Sequence, residues 1–174
     1  MGNTLRKSII LLLLATIVAI MPSCLLSYKF NGASIDYTKT KSISIADFPN
    51  NAALVNPNLS NALSEGIRDI YSRQTRLMML PKNGDMELEG EIIDYTLTPM
   101  AISADTYAAE TKLTLTIRVR FTNNKAPEEN FEKTYSAFQT FSSTRLLTEV
   151  QDDLCAAMII ELSENIYNDT VARW

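Results

Sequence analysis

Between Thr111 and Thr122 the chain reads TKLTLTIRVRFT: Leu113, Leu115, Ile117, Val119 and Phe121 are apolar, and Lys112, Thr114, Thr116, Arg118 and Arg120 between them are polar. Alternation of this kind predicts a strand with one face on a core and the other in water. A slip of one residue would bury both arginines, so the facing is firmly set. The stretch MELEGEIIDYTL (86–97) is its complement, with Glu87, Glu89 and Glu91 on one face and Leu88, Gly90 and Ile92 on the other. Its phase changes at Ile92-Ile93, which predicts a bulge. An antiparallel register that sets Glu87 against Arg120, Glu89 against Arg118, Leu88 on Val119 and Ile92 on Leu115 satisfies charge and core together, at about 0.2–1 kcal/mol per ion pair. On the other side FEKTYSAFQTF (131–141) completes a meander, with Phe131 meeting Phe121 and Tyr135 meeting Ile117.

Two further strands are expected before these, LSYKFN (26–31) and TKSISIADFPNN (40–51). In the second, Ile43 and Ile45 alternate with Ser42 and Ser44 and Pro49-Asn50-Asn51 closes the run. Asn83-Gly84 reads as a turn. The helical period appears twice. Asn56 and Pro57 supply an N-cap and a first-turn proline, and Leu59, Leu63, Ile67, Ile70 and Tyr71 then share one face of a helix running to about Thr75. Gly66 inside it costs up to about 1 kcal/mol relative to alanine, which points to a close approach to the sheet. From Ser143 or Thr144 a longer helix is expected, with Leu147, Val150, Leu154, Met158, Leu162 and Ile166 inward and Glu149, Asp152, Asp153, Glu161 and Glu164 outward. The order of elements predicts an α+β fold: a two-layer sandwich in which two helices cover one face of a mostly antiparallel sheet of four to five strands.

The first residues follow another pattern. Arg6 and Lys7 precede an unbroken apolar run from Ile9 to Ile20, and Met21-Pro22-Ser23 leads to Cys24. Residues 1–23 read as a secretory signal, since twelve apolar residues cover only about 18 Å of a bilayer core roughly 30 Å thick. A small residue followed by cysteine is the arrangement that lipoprotein processing requires, so Cys24 is the expected lipidation site and 24–174 the single domain it anchors. Met21 and Pro22 depart from the usual residues of that site. An oxidising compartment would favour a Cys24–Cys155 disulfide; a thioether-modified Cys24 cannot form one, and Cys155 then reads as a small buried hydrophobe.

The whole chain has 16 Lys+Arg against 20 Asp+Glu. Removing 1–23, which holds two basic and no acidic residues, leaves 14 against 20, a net charge of −6. That balance argues against nucleic acid as a partner. The chain has no histidine, which excludes imidazole catalysis and most zinc sites. The row Glu87, Glu89, Glu91 has the spacing of paired catalytic carboxylates, but the facing arginines make an ion-paired sheet face the better reading. No Gly-rich phosphate loop and no Ser-x-x-Lys is present. The expectation is a protein that is not an enzyme and has no catalytic residue, metal or cofactor. Its free sheet face can be merely wet, can dock into another protein, or can offer Lys112, Arg118 and Arg120 to anionic groups such as phosphorylated glycolipid.

Taken together, CLLSYKFNGASI (24–35), KSISIADFPNNAALVNPNLSNALSEGIRD (41–69), RQTRLMML (73–80), GDMELEGEIIDYTLTPMAIS (84–103), LTLTIRVRFTN (113–123) and ENIYNDTVARW (164–174) resemble the lipopolysaccharide-assembly lipoproteins of the LptE type, in a divergent branch. The resemblance implies an outer-membrane lipoprotein with a two-layer α/β sandwich. It also implies that the domain plugs an LptD-type β-barrel translocon, assists its assembly and takes part in lipopolysaccharide transport. CLLSYKF carries no acidic residue before Asp36, which favours the periplasmic side. The alternative is a lipid-binding accessory lipoprotein of another envelope transport system, which would need an apolar chamber between helices and sheet.

Overall fold

The computed structural model describes residues 35–100 and 109–172. Its elements are β1 (Ser42–Ile45), α1 (Leu59–Gln74), β2 (Met78–Leu80), β3 (Met86–Pro99), β4 (Glu110–Asn123), β5 (Phe131–Ser142) and α2 (Leu147–Thr170). They form one five-stranded sheet in the order β2-β1-β3-β4-β5 with the two helices, the expected α+β sandwich. Leu113, Leu115, Ile117, Val119 and Phe121 of β4 are fully buried, in one core with Leu63, Ile67 and Tyr71 of α1 and Met158, Leu162 and Ile166 of α2. Lys112, Arg118 and Arg120 lie on the opposite, uncovered face.

Most of the sheet's pairing is antiparallel, along β3–β4 and β4–β5, but the sheet is mixed, because β1 runs parallel to both β2 and β3. Helix α1 is the crossover that returns the chain for a parallel neighbour, as parallel pairing requires. β2 is three residues long, too short to leave a period in RLMML. The expected strand 26–31 lies outside the described residues. β1 is also less exposed than its alternation implies: Ser44 is buried and its hydroxyl accepts the Gly84 N–H, because the turn after β2 folds over it. Asn83 in that turn has φ 56°, a left-handed conformation that asparagine tolerates.

The β4–β5 register is as expected, with Phe121 opposite Phe131 and Ile117 opposite Tyr135, and the β3 bulge falls between Ile92 and Asp94. The β3–β4 register is not. Glu89 faces Arg120 and Glu91 faces Arg118, while Glu87 faces Thr122 and Leu88 faces Phe121, two residues from the expected pairing. A two-residue shift keeps every side chain on its own face, so the apolar pattern cannot choose between the two. On its other edge β3 pairs on beyond β1: Ala46 N–H donates to Leu88 O, Ile92 N–H to Pro49 O and Asn51 N–H to Ile92 O. This run sets Phe48, fully buried, directly over Gly90. A Cβ on Gly90 would stand 2.3 Å from Phe48 Cε1 and 2.5 Å from Arg118 O.

Gly66 marks a close approach to the other helix, not to the sheet, since a Cβ there would meet Ile159 Cγ2 at 2.5 Å. Helix α1 starts at Leu59, later than expected. Pro57 precedes it, inside a turn in which Asn56 Oδ1 accepts the Asn58 N–H at 3.1 Å. Helix α2 starts at Leu147 because Ser142–Leu146 is used as a turn, closed by Arg145 N–H to Ser142 O. The C-terminal end of α2 is tied to α1 through the Tyr71 and Thr170 hydroxyls. Thr170 donates to Ile166 O, which leaves it the acceptor for Tyr71.

Asp85 clamps three segments. Its Oδ2 accepts the backbone N–H groups of Lys41 and Ser42 and the Ser42 hydroxyl, and Lys125 Nζ lies 3.1 Å from Oδ1. The Lys41 N–H above all, with Lys125 and Ser42, pulls the carboxyl from 3.8 to about 2. The folded pKa is below the unfolded one, so the clamp stabilises fully above about pH 4 and its contribution is lost as pH falls towards 2. Asp85→Asn is expected to cost about 1.5 kcal/mol at pH 7. Urea titrations at pH 7 and pH 2.5 check this: the gap between variant and parent should be widest at pH 7 and clearly narrower at pH 2.5, where the unfolded-state carboxyl is protonated and the folded-state one only partly so.

Candidate functional site

The uncovered face of β3, β4 and β5 has two unlike ends. At one, Arg118 Nη1 donates to Glu91 Oε1 at 2.8 Å and its Nε lies 4.0 Å from Glu132 Oε1. Arg120 reaches Glu132 Oε2 through Nε at 3.2 Å and Nη2 at 3.0 Å. Asn51 Nδ2 donates to Glu91 Oε2 at 2.7 Å. Glu91, Arg118, Arg120 and Glu132 line, with Pro49, Glu89 and Gly90, a hollow of about 230 Å³. Both guanidiniums are therefore already matched by carboxylates, but among the described residues only Glu91 of the glutamate row pairs with them: the second carboxylate on the two arginines is Glu132, and Glu87 accepts from Asn124 Nδ2 instead. Exposed pairs of this kind add little stability, about 0.2–1 kcal/mol each.

Lys112 stands at the other end, six residues along β4 and so about 20 Å from Arg118. Its Nζ lies 5.5 Å from the centre of the Phe138 ring, in the range of a cation–π contact, and no carboxylate pairs with it among the described residues. The sheet thus brings the three sequence candidates onto one face but not into one cluster. Between the two ends runs a hydroxyl row in which Thr116 and Ser136 bond at 3.0 Å. The residue that the sequence reading passed over is Phe138, 58% exposed on the wet side. Its even position in β5, out of step with Phe131, Tyr135 and Phe141, was the available signal.

Elsewhere the polar chemistry is structural. Burial pushes the Cys155 thiol up, where Tyr95 OH at 3.4 Å and Asn56 Nδ2 at 3.8 Å hold it. A thiol so placed is an inert core residue, not a nucleophile. Burial first, and the Asp169 carboxylate second, push the Tyr135 phenol up. Tyr135 donates to Asp169 Oδ2 at 2.7 Å and Lys133 pairs with the same oxygen, a latch between β5 and the end of α2. The space between helices and sheet is filled by Phe48, Tyr71, Tyr95, Phe121 and Leu162, which speaks against a preformed lipid chamber there. Among the described residues no group of three or more His, Cys, Asp or Glu is placed to hold a metal ion, and no helix is long and apolar enough to cross a membrane.

The family model for LptE, lipopolysaccharide-assembly, matches residues 40–170. The chain belongs to the LptE family. Those residues run from the lead-in to β1 to the last residue of α2, so the match covers the whole sandwich. The chain is also similar to solved lipoproteins. The minor lipoprotein of Acinetobacter baumannii has 13% identity and a TM-score of 0.48, over 73% of this chain and 89% of the other. The rare lipoprotein B of Shewanella oneidensis has 10% identity and a TM-score of 0.48, over 74% and 92%. No curated protein sequence matches it. Family membership rests on the family model and makes this a lipopolysaccharide-assembly lipoprotein at family level.

Proposed function

We propose that the protein is an outer-membrane lipoprotein, lipid-anchored at Cys24 after loss of residues 1–23 and held on the periplasmic side. There it plugs and stabilises an LptD-type β-barrel translocon and takes part in lipopolysaccharide transport. The observation that carries this reading is the LptE match over 40–170. The geometry supports it: a small domain with a filled core, one flat polar face left uncovered, and polar chemistry spent on structure. A plug needs a rigid body with a polar surface rather than a pocket.

Lipopolysaccharide would meet the Lys112 end of the open face in preference to Arg118 and Arg120, whose charges Glu91 and Glu132 already balance. Lys112→Glu is expected to weaken binding of purified lipopolysaccharide several-fold, and Arg118→Gln and Arg120→Gln to change it less than twofold, because exposed ion pairs hold those arginines. Surface plasmon resonance at physiological salt checks this order, and equal losses at all three positions would contradict it.

The reading as a whole is tested by affinity purification of the full-length protein from outer membranes. A large barrel protein should co-elute; elution of the protein alone would remove the proposal.

A further inference from the structure

β5 is an edge strand of 12 residues, and no strand lies outside it among the described residues. Ser143 donates its N–H to Ala109 O, in the same register that pairs Phe141 with Thr111 and Gln139 with Leu113. Bonded and non-bonded pairs alternate along an antiparallel ladder. The odd residues of β5 therefore exchange their backbone bonds with β4, and Ser136, Phe138 and Thr140 turn their N–H and C=O groups outwards. Proteins guard such edges with charge, proline or short length. Glu132 and Lys133 guard the first third of β5, but SAFQTFS (136–142) carries neither a charge nor a proline, and Phe138 stands exposed within it.

Helix α2 lies over β5 and reaches β4 only lightly. A helix is about 10–12 Å across, whereas neighbouring strands are about 4.8 Å apart, so α2 overhangs the place where a sixth strand would lie. That overhang selects the occupant. A second copy joined edge to edge would bring two α2 helices to about 5 Å, although helices pack at about 8–10 Å. It would also oppose two helices that expose Glu149, Asp152, Asp153, Glu161 and Glu164 and contain no Lys or Arg from Leu147 to Thr170. An extended segment with no covering layer of its own fits the slot.

We propose that Ser136–Ser142 of β5 receives, by strand addition, an extended segment of the barrel subunit that lies beneath the overhang of α2. Main-chain bonds to Ser136, Phe138 and Thr140 supply the affinity, and the exposed Phe138 ring supplies an apolar neighbour for the segment's other row. The proposal rests on the barrel reading above.

The test uses full-length protein purified with its barrel. A Ser136→Pro/Thr140→Pro variant removes two outward donors, which an edge strand tolerates. It should keep its melting temperature and recover about tenfold less barrel or worse. Phe138→Glu places a guarding charge on the same edge and should lose barrel similarly, which covers the case of a proline variant that fails to fold. Amide exchange at Phe138 and Thr140 should be fast in the isolated protein and slow about tenfold or more in the complex. Undiminished barrel recovery by both variants overturns the proposal. So does protection of these amides in the isolated protein, which would mean that the chain's own residues, such as 26–31, fill the edge. If the parent protein itself recovers no barrel, the underlying reading fails first and is recognised by that.

Discussion

Gly90→Ala is expected to cost about 3 kcal/mol, at the upper end of overpacking losses and a large share of the stability of a marginal domain. The added methyl group would overlap the Phe48 ring at 2.3 Å and the Arg118 carbonyl at 2.5 Å. The ring is fully buried and flanked by the backbone bonds that hold residues 46–51 along β3, so it has no free space to yield into. The alternative, moving β3 away from β4, strains the ladder that carries both halves of the charged surface. Denaturant melts of Gly90→Ala, Phe48→Ala and the double variant separate the two contacts. If the ring dominates, the double variant is more stable than the sum of the single losses predicts, with an interaction energy of about 1–3 kcal/mol. If the carbonyl dominates, the losses add.

The second large effect concerns the anchor. On the proposed reading two or more acyl chains hold Cys24 to the membrane, which is the number needed for stable attachment. Cys24→Ser should move essentially all of the protein from the membrane pellet to the soluble fraction, lower the mass by the lipid increment and leave the far-UV circular dichroism of the domain unchanged. Depletion strains carrying only this variant should show the envelope defects of a missing lipopolysaccharide-assembly component. A variant that stays membrane-bound and acylated would show that Cys24 is not the site. Met21 and Pro22, which make the processing site atypical, add a graded version: Pro22→Ala is expected to speed processing without changing its end point, as a pulse-chase would reveal.

How much of this could be read from the chain depended on period. The strict alternation of β4 gave its facing and its core residues, and the match of Phe131 and Tyr135 to Phe121 and Ile117 gave the β4–β5 register. The Ile92-Ile93 phase change gave the bulge. The β3–β4 register was missed because charge pairing and facing are both unchanged by a two-residue slip. The seating of Phe48 over Gly90 was equally hidden, because it joins residues 42 positions apart and leaves no periodic trace. Parallel pairing of β1 was hidden for a related reason, since a crossover helix reads the same whether the strand after it runs parallel or not. Gly66 was seen as a contact point, but its partner Ile159 lies on an element 93 residues later.

At the open face, Lys112, Arg118 and Arg120 were correctly placed on one side. Their separation into a balanced arginine end and a lone lysine end needed Glu132, whose role depends on β5 lying beside β4. The edge of β5 is the feature least visible in the sequence. SAFQTFS is unremarkable until the strand order places it outermost and α2 is seen to overhang it.

The central claim is that this LptE-family sandwich works as the partner of an outer-membrane barrel. The most direct measurement is tandem affinity purification of the full-length protein from detergent-extracted outer membranes, with intact-complex mass spectrometry of the eluate. The expected result is a stoichiometric complex with one large β-barrel protein, lost or weakened about tenfold in Ser136→Pro/Thr140→Pro. A monodisperse lipoprotein with no barrel bound would contradict it.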